Sequence, residues 1–179
     1  MKLRLFILAA CCVSFVIAGC SSIQDVPVKD VFELSCAEKP EKLNLDGANR
    51  FLMKMTNKTS QKQIICSTHF SKSFNASIKR EIFNAKDLMK NMIGNGTAFK
   101  LGPHYNISDF IVVYPGQSHY FEHEVELKKK PELIISDNDT ICFRFSYEFF
   151  KAKNDFDIKA WYGELSCEIE CPVGGQTGK

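Results

Sequence analysis

The chain has 179 residues, 45% of them hydrophobic and 25% charged, and its 23 basic and 21 acidic side chains leave a formal charge of +2. Removing an N-terminal leader with Lys2 and Arg4 takes the basic count to 21, equal to the acidic one, so the balance gives no sign of the basic surface that nucleic-acid binding wants, and no nucleic-acid partner is expected. The roughly 150 residues that remain are the size of one domain.

Met1-Lys2-Leu3-Arg4 is followed by "LFILAACCVSFVIAG", fifteen residues without a charge. A basic start, a short apolar run and small residues at its end are the pattern of a secretory signal over 1–19. The run falls short of the ~20 apolar residues that span a bilayer. It closes on Ile17-Ala18-Gly19-Cys20, which resembles the bacterial lipobox. That resemblance implies a diacylated Cys20 thiol, cleavage before Cys20 and acylation of the new amine. One acyl chain holds a membrane weakly and two or more hold it stably. Ser21, in place of an acidic residue, implies sorting to the outer membrane. The alternative is an ordinary signal cut after Ala18, with Cys20 free to join a disulfide. Residues 20–30, "CSSIQDVPVKD", read as a tether.

From 31 to 171 the pattern is that of strands. "VFELSC" (31–36) comes first, then the polar loop "EKLNLDGAN" (41–49), then "RFLMKMT" (50–56) with Phe51, Met53 and Met55 on one face. "KQIICSTHF" (62–70) reads as a third strand. "SIKREIFNAKDLMKNMIGNG" (77–96) breaks the alternation: Ile78, Ile82, Ala85, Met89 and Met92 recur at three- and four-residue steps, Ser77 can cap the start and Gly94-Asn95-Gly96 can end it. The expectation there is an amphipathic helix packed on the sheets. "DFIVVY" (109–114) stops at Pro115-Gly116. "SHYFEHEVEL" (118–127) and "TICFRFSYEFF" (140–150) alternate cleanly, the second placing Ile141, Phe143, Phe145, Tyr147 and Phe149 against Arg144, Ser146 and Glu148. The last strand lies within "DIKAWYGELSCEIE" (157–170), and 172–179 read as a flexible tail. Period-two alternation marks strands with one buried face. Together the segments predict a mainly β fold, a two-sheet sandwich with one inserted helix.

If Cys20 carries lipid, Cys36, Cys66, Cys142, Cys167 and Cys171 remain as disulfide candidates, with their connectivity open. Cys142 shares a face with Arg144, which places it at a sheet edge or on an outer surface. Five N-x-S/T tripeptides, at Asn57, Asn75, Asn95, Asn106 and Asn138, exceed the one or so expected from ten Asn and 20 Ser or Thr. The excess points to a glycosylated, disulfide-bonded secreted eukaryotic protein, unless these residues simply share turns.

Chemistry is sparse. The histidines are His69, His104, His119 and His123, and His123 on an apolar strand face reads as a hydrogen-bonded core residue. Cys167-x3-Cys171 has no second pair at zinc-ligand spacing. No nucleophile elbow, H-E-x-x-H, P-loop or dinucleotide fingerprint occurs. The expectation is a domain without catalysis, metal, cofactor or small-molecule substrate.

The order of features resembles the outer-membrane lipoproteins of bacterial type VI secretion systems, the TssJ/SciN/VasD family. The features are the lipobox and tether, a first strand, the loop "EKLNLDGANR", the strand "FLMKM", a helix, an apolar strand into the "PGQS" turn, the aromatic strand "ICFRFSYEFF" and the Trp-bearing "DIKAWYGEL". They span most of 30–165; the five cysteines and the "CEIECPVGGQTGK" end depart from the pattern. The resemblance implies a transthyretin- or immunoglobulin-like sandwich that tethers the periplasmic domain of an inner-membrane secretion protein to the outer membrane. Its contact loop corresponds to Glu41, Lys42, Leu43, Asn44, Leu45, Asp46, Gly47 and Asn49, of which Leu43 and Leu45 are apolar anchors in a polar rim. Another periplasmic binding or inhibitor lipoprotein with the same sandwich fits the same residues.

Overall fold

The structure, a computed structural model, describes residues 30–80, 91–101, 105–128, 130–131 and 133–174. Nine strands run through them: β1 (Phe32–Glu38), β2 (Ala48–Asn57), β3 (Gln63–Cys66), β4 (His69–Ile78), β5 (Met92–Leu101), β6 (Phe110–Val113), β7 (Ser118–Glu126), β8 (Thr140–Phe149) and β9 (Gly163–Pro172). One turn of 3₁₀ helix, Ile107–Asp109, precedes β6. All pairings between these strands are antiparallel.

Two principal sheets face each other, one ordered β1-β2-β7 and one β5-β4-β8-β9. β8 shows why. Its odd residues Ile141, Phe143, Phe145, Tyr147 and Phe149 are buried, while Arg144 and Glu148 are exposed. β4 supplies the same face with Phe70, Phe74, Ala76 and Ile78, in register with Phe149, Phe145, Phe143 and Ile141. From the opposite sheet Phe51, Met53 and Met55 of β2 point inward. The Phe51 ring lies 4.9 Å from that of Phe143 and 5.0 Å from that of Phe145. Each buried large side chain contributes roughly 1.5–3 kcal/mol relative to exposure, so this aromatic seam is the main cohesion between the sheets.

A short third sheet, β3-β6, closes one end. "KQIICSTHF" is therefore two strands in different sheets: it turns at Ser67-Thr68, where Ser67 N donates to Asp109 O at 2.8 Å. Trp161 is bound to β3 through its backbone, N donating to Ile64 O at 2.6 Å, and its ring meets Phe32 and Phe149. The predicted strand at 157–170 thus starts later, at Gly163, and runs past Cys171. Packing extends beyond the expected boundary too: Val173 is buried, and Gly174 N donates to Asp137 O, so the tail that begins at Pro172 in the sequence reading is folded through Gly174.

The helix expected over 77–96 is corrected at both ends. Ser77 and Ile78 finish β4, and Met92 through Gly96 open β5; residues 81–90 lie outside the described residues. Gly94 and Gly96, read from sequence as a helix stop, are strand positions beneath Phe74. A Cβ on Gly96 would stand 2.7 Å from Phe74 Cε1, so the ring covers the place a side chain would take. Pro115-Gly116 does form a turn, with Gln117 N donating to Tyr114 O and Gly116 at φ +71°, the left-handed position this kind of turn gives to glycine.

Candidate functional site

The loop between β1 and β2 is the place the sequence nominated, and its geometry is specific. β1 ends in a bulge between Cys36 and Glu38 that turns the chain out of the sheet. Asn49, at the start of β2 and buried, then ties the loop to itself. Its Oδ1 accepts from Asn44 N at 2.7 Å, and its Nδ2 donates to Asn44 O at 2.8 Å and Gly47 O at 3.2 Å. Asn44 Oδ1 accepts from Asp46 N at 3.2 Å, and Gly47 O accepts from Leu127 N at the end of β7.

The eight nominated residues divide into two sets. Leu43 is only 4% exposed and belongs to the core, and half-buried Leu45 packs against it. The apolar-anchor role is therefore corrected for Leu43, which is spent on seating the loop. Asn49 is a staple, not a contact. Glu41, Lys42, Asn44 and Asp46 are exposed, with Gly47 between them half-buried. The accessible face of the loop is polar and of mixed charge.

His123 is in the core as expected. It is buried on β7, its Nδ1 lies 2.9 Å from the Tyr147 hydroxyl on β8, and its ring packs on Phe145 and Phe74. Burial, with Lys72 adding to it, pushes its pKa down to about 4. Burial likewise lifts the Tyr147 phenol above its ordinary range. Both are neutral near pH 7. An open groove of about 580 Å³ runs between β5 and β7, lined by His123, Lys72, Phe74, Gly96, Glu124 and Lys128 among others. Among the described residues no three His, Cys, Asp or Glu side chains gather as a metal site, and no helix is long and apolar enough to cross a membrane.

The five cysteines stand as thiols. Cys66 is buried beside Thr68. Cys142 is half-buried on the outer face of β8, near Lys79 and Glu170, as its alternation required. Cys36, Cys167 and Cys171 lie on inner faces of β1 and β9. Cys20 lies outside the described residues.

The tripeptides at Asn57 and the other four asparagines are not equivalent. Asn57 is 1% exposed and fully engaged: Nδ2 donates to Gln61 O and Val113 O, and Oδ1 accepts from Thr59 N and Thr59 Oγ1. No glycan fits there in this fold. Asn75 and Asn95 are exposed but directly opposite each other on β4 and β5. Asn106 and Asn138 are exposed outside the strands. Nothing in the residue order marks Asn57 and Asn49 as internal hydrogen-bond hubs; the only local hint is that Asn57 precedes a turn.

No family model matches the chain, and no curated protein matches it. Solved structures give distant likenesses. Bacteroides uniformis beta-glucuronidase 2 is 10% identical with a TM-score of 0.32, over 80% of this chain and 13% of its own. The sporulation control protein Spo0M of Bacillus subtilis is 9% identical with a TM-score of 0.40, over 79% of this chain and 49% of its own. A protein from Archaeoglobus fulgidus is 7% identical with a TM-score of 0.30, over 79% of this chain and 94% of its own. The chain thus spans a small part of the glucuronidase and about half of Spo0M. Likeness at this level carries no inference about activity.

Proposed function

We propose that this chain is a non-catalytic lipoprotein, held on the periplasmic face of the outer membrane through Cys20, whose β domain docks a protein partner. The sequence resemblance names that partner as the periplasmic domain of an inner-membrane protein of a type VI secretion complex. The observation that carries the docking reading is the rigid loop 41–49. Core burial of Leu43 and the Asn49 bonds fix its backbone, so Glu41, Lys42, Asn44 and Asp46 are presented with little ordering entropy left to lose on binding. Its position supports the same reading. The chain enters β1 beside Val31 and leaves it at Glu38, so seven strand residues, roughly 20–25 Å at 3.3 Å each, separate the tether end from the loop. A membrane-held protein would present the loop away from the lipid.

Charge reversal on the exposed set tests this. A Glu41→Lys, Lys42→Glu, Asp46→Lys variant keeps Leu43 and Asn49 and should retain the wild-type melting temperature. It should recover the periplasmic domain of the secretion partner at least tenfold less well in a pull-down, because like-charge contacts oppose a docked interface. Unchanged recovery by a folded variant removes the loop from the interface.

A further inference from the structure

Two of the five cysteines, Cys36 and Cys167, lie where the two principal sheets come edge to edge. β1 and β9 are edge strands of opposite sheets, and neither is hydrogen-bonded to the other as a sheet neighbour. They run side by side in the same direction. Phe32 and Leu34 share one groove with Glu164 and Leu165, and further along Cys36 and Lys39 share another with Cys167 and Glu170. Lys39 Nζ donates to Glu170 O at 3.0 Å and marks the far end of that alignment. This register sets Cys36 beside Cys167. Both line the same open groove of about 500 Å³, which Cys171 does not line. Cys171 lies four residues further along β9 and is 2% exposed. Cys36 is on the side of Phe32 and Leu34, its Sγ donating to Glu38 O at 3.0 Å, and Cys167 is in register with Phe145 on the inner face of β9.

We infer that Cys36 and Cys167 are a disulfide-forming pair that joins the edge strands of the two sheets. Near-neutral thiols on facing strands exchange with a small disulfide such as oxidised glutathione. One protein thiol loses its proton and its thiolate attacks a glutathione sulfur, expelling glutathione thiolate. The second thiol, deprotonated in turn, attacks the protein sulfur of the mixed disulfide and expels the second glutathione. Two protein thiols are oxidised, one glutathione disulfide is reduced to two thiols, and the Cys36–Cys167 bond is formed. Cys36 is the less buried of the two and is the entry point. Burial raises both thiols, Cys167 to about 11 with Cys36 adding to the shift, so exchange is slow at pH 7 and quickens as pH rises. No backbone ladder joins β1 to β9, and the bond would close a covalent loop of more than 100 residues, the kind that restricts an unfolded chain most. The inference is independent of the docking proposal.

The test uses the purified full chain, incubated with oxidised glutathione at pH 8, with remaining thiols blocked and the digest mapped without reduction. The expected product is a peptide linking Cys36 to Cys167. Reduction should lower its melting temperature by roughly 10 °C. Cys36→Ser and Cys167→Ser should each abolish the linked peptide and the reduction sensitivity, whereas Cys142→Ser and Cys171→Ser should keep both. A peptide joining Cys36 to Cys171, or Cys36 and Cys167 recovered only as blocked thiols or glutathione adducts, overturns the inference. The wild-type map decides even where a serine variant does not fold.

Discussion

His123 pairs a buried imidazole with a buried phenol, and that choice has a cost at low pH. Its ordinary pKa near 6.5 applies in the unfolded chain, while burial and Lys72 hold it to about 4 in the fold. Between those values the unfolded chain binds a proton that the folded one refuses. Stability must therefore fall as pH falls through that window, by about 3 kcal/mol in total. His123→Gln keeps a polar group for the Tyr147 hydroxyl but cannot titrate. Denaturant unfolding from pH 7 to pH 4 should show a flatter decline for the variant. Parallel curves would mean that His123 is protonated in the folded state. Asn57 makes the complementary case, a polar side chain buried with every valence met. Asn57→Ala strands the carbonyls of Gln61 and Val113 and the amide of Thr59. The expected loss is about 2–3 kcal/mol in chemical denaturation, against little for Asn138→Ala at an exposed turn. A small effect at Asn57 would show that water replaces its bonds.

At the scale of elements, legibility in the sequence follows how one-sided the burial is. β8 is buried on one face and solvated on the other, so its phenylalanines announce both the strand and its inward face. Phe145→Ala removes a ring touching Phe51 and His123 and should cost about 3–5 kcal/mol. Ser146→Ala on the outer face should cost under about 0.5 kcal/mol. Thermal unfolding of the two variants checks the difference, and equal shifts would reverse the face assignment. β3 was harder to delimit because "IIC" does not alternate and gives no sign of the turn that follows. The segment 77–96 misled for a related reason. Ile78 and Met92 fit a helical stripe, but each is also an allowed strand position, and glycines that end helices also lie flat under an aromatic ring, as Gly96 does under Phe74. Spacing cannot separate those cases without knowing which strand lies alongside. The leucines of the 41–49 loop posed the same problem: whether Leu43 meets a partner or its own core depends on where the β1 bulge sends the chain.

At the scale of the molecule, the arrangement separates three tasks. The sheets supply rigidity, the 41–49 loop supplies the exposed polar face, and the segment before Val31 is proposed to supply attachment. The cysteine pairing was illegible in the sequence because it depends on which strands become sheet edges; the lipobox resemblance is local and legible without the fold. If it holds, the tether and the domain are energetically separate. Extended at 3.3–3.6 Å per residue, residues 20–30 reach about 35–40 Å, enough to stand the sandwich clear of the headgroups. Two or more acyl chains, at roughly 0.8 kcal/mol per buried methylene, then hold the protein in the bilayer without help from the β domain. Cys20→Ser should therefore move the protein from the membrane pellet to the soluble periplasmic fraction while leaving its melting temperature unchanged. Mass spectrometry of the wild-type N-terminal peptide should show Cys20 as the first residue, carrying a diacylglyceryl thioether and an acylated amine. A wild-type chain that starts at Gly19, or an unmodified Cys20, ends the lipoprotein reading, and the β domain would then need a secreted role.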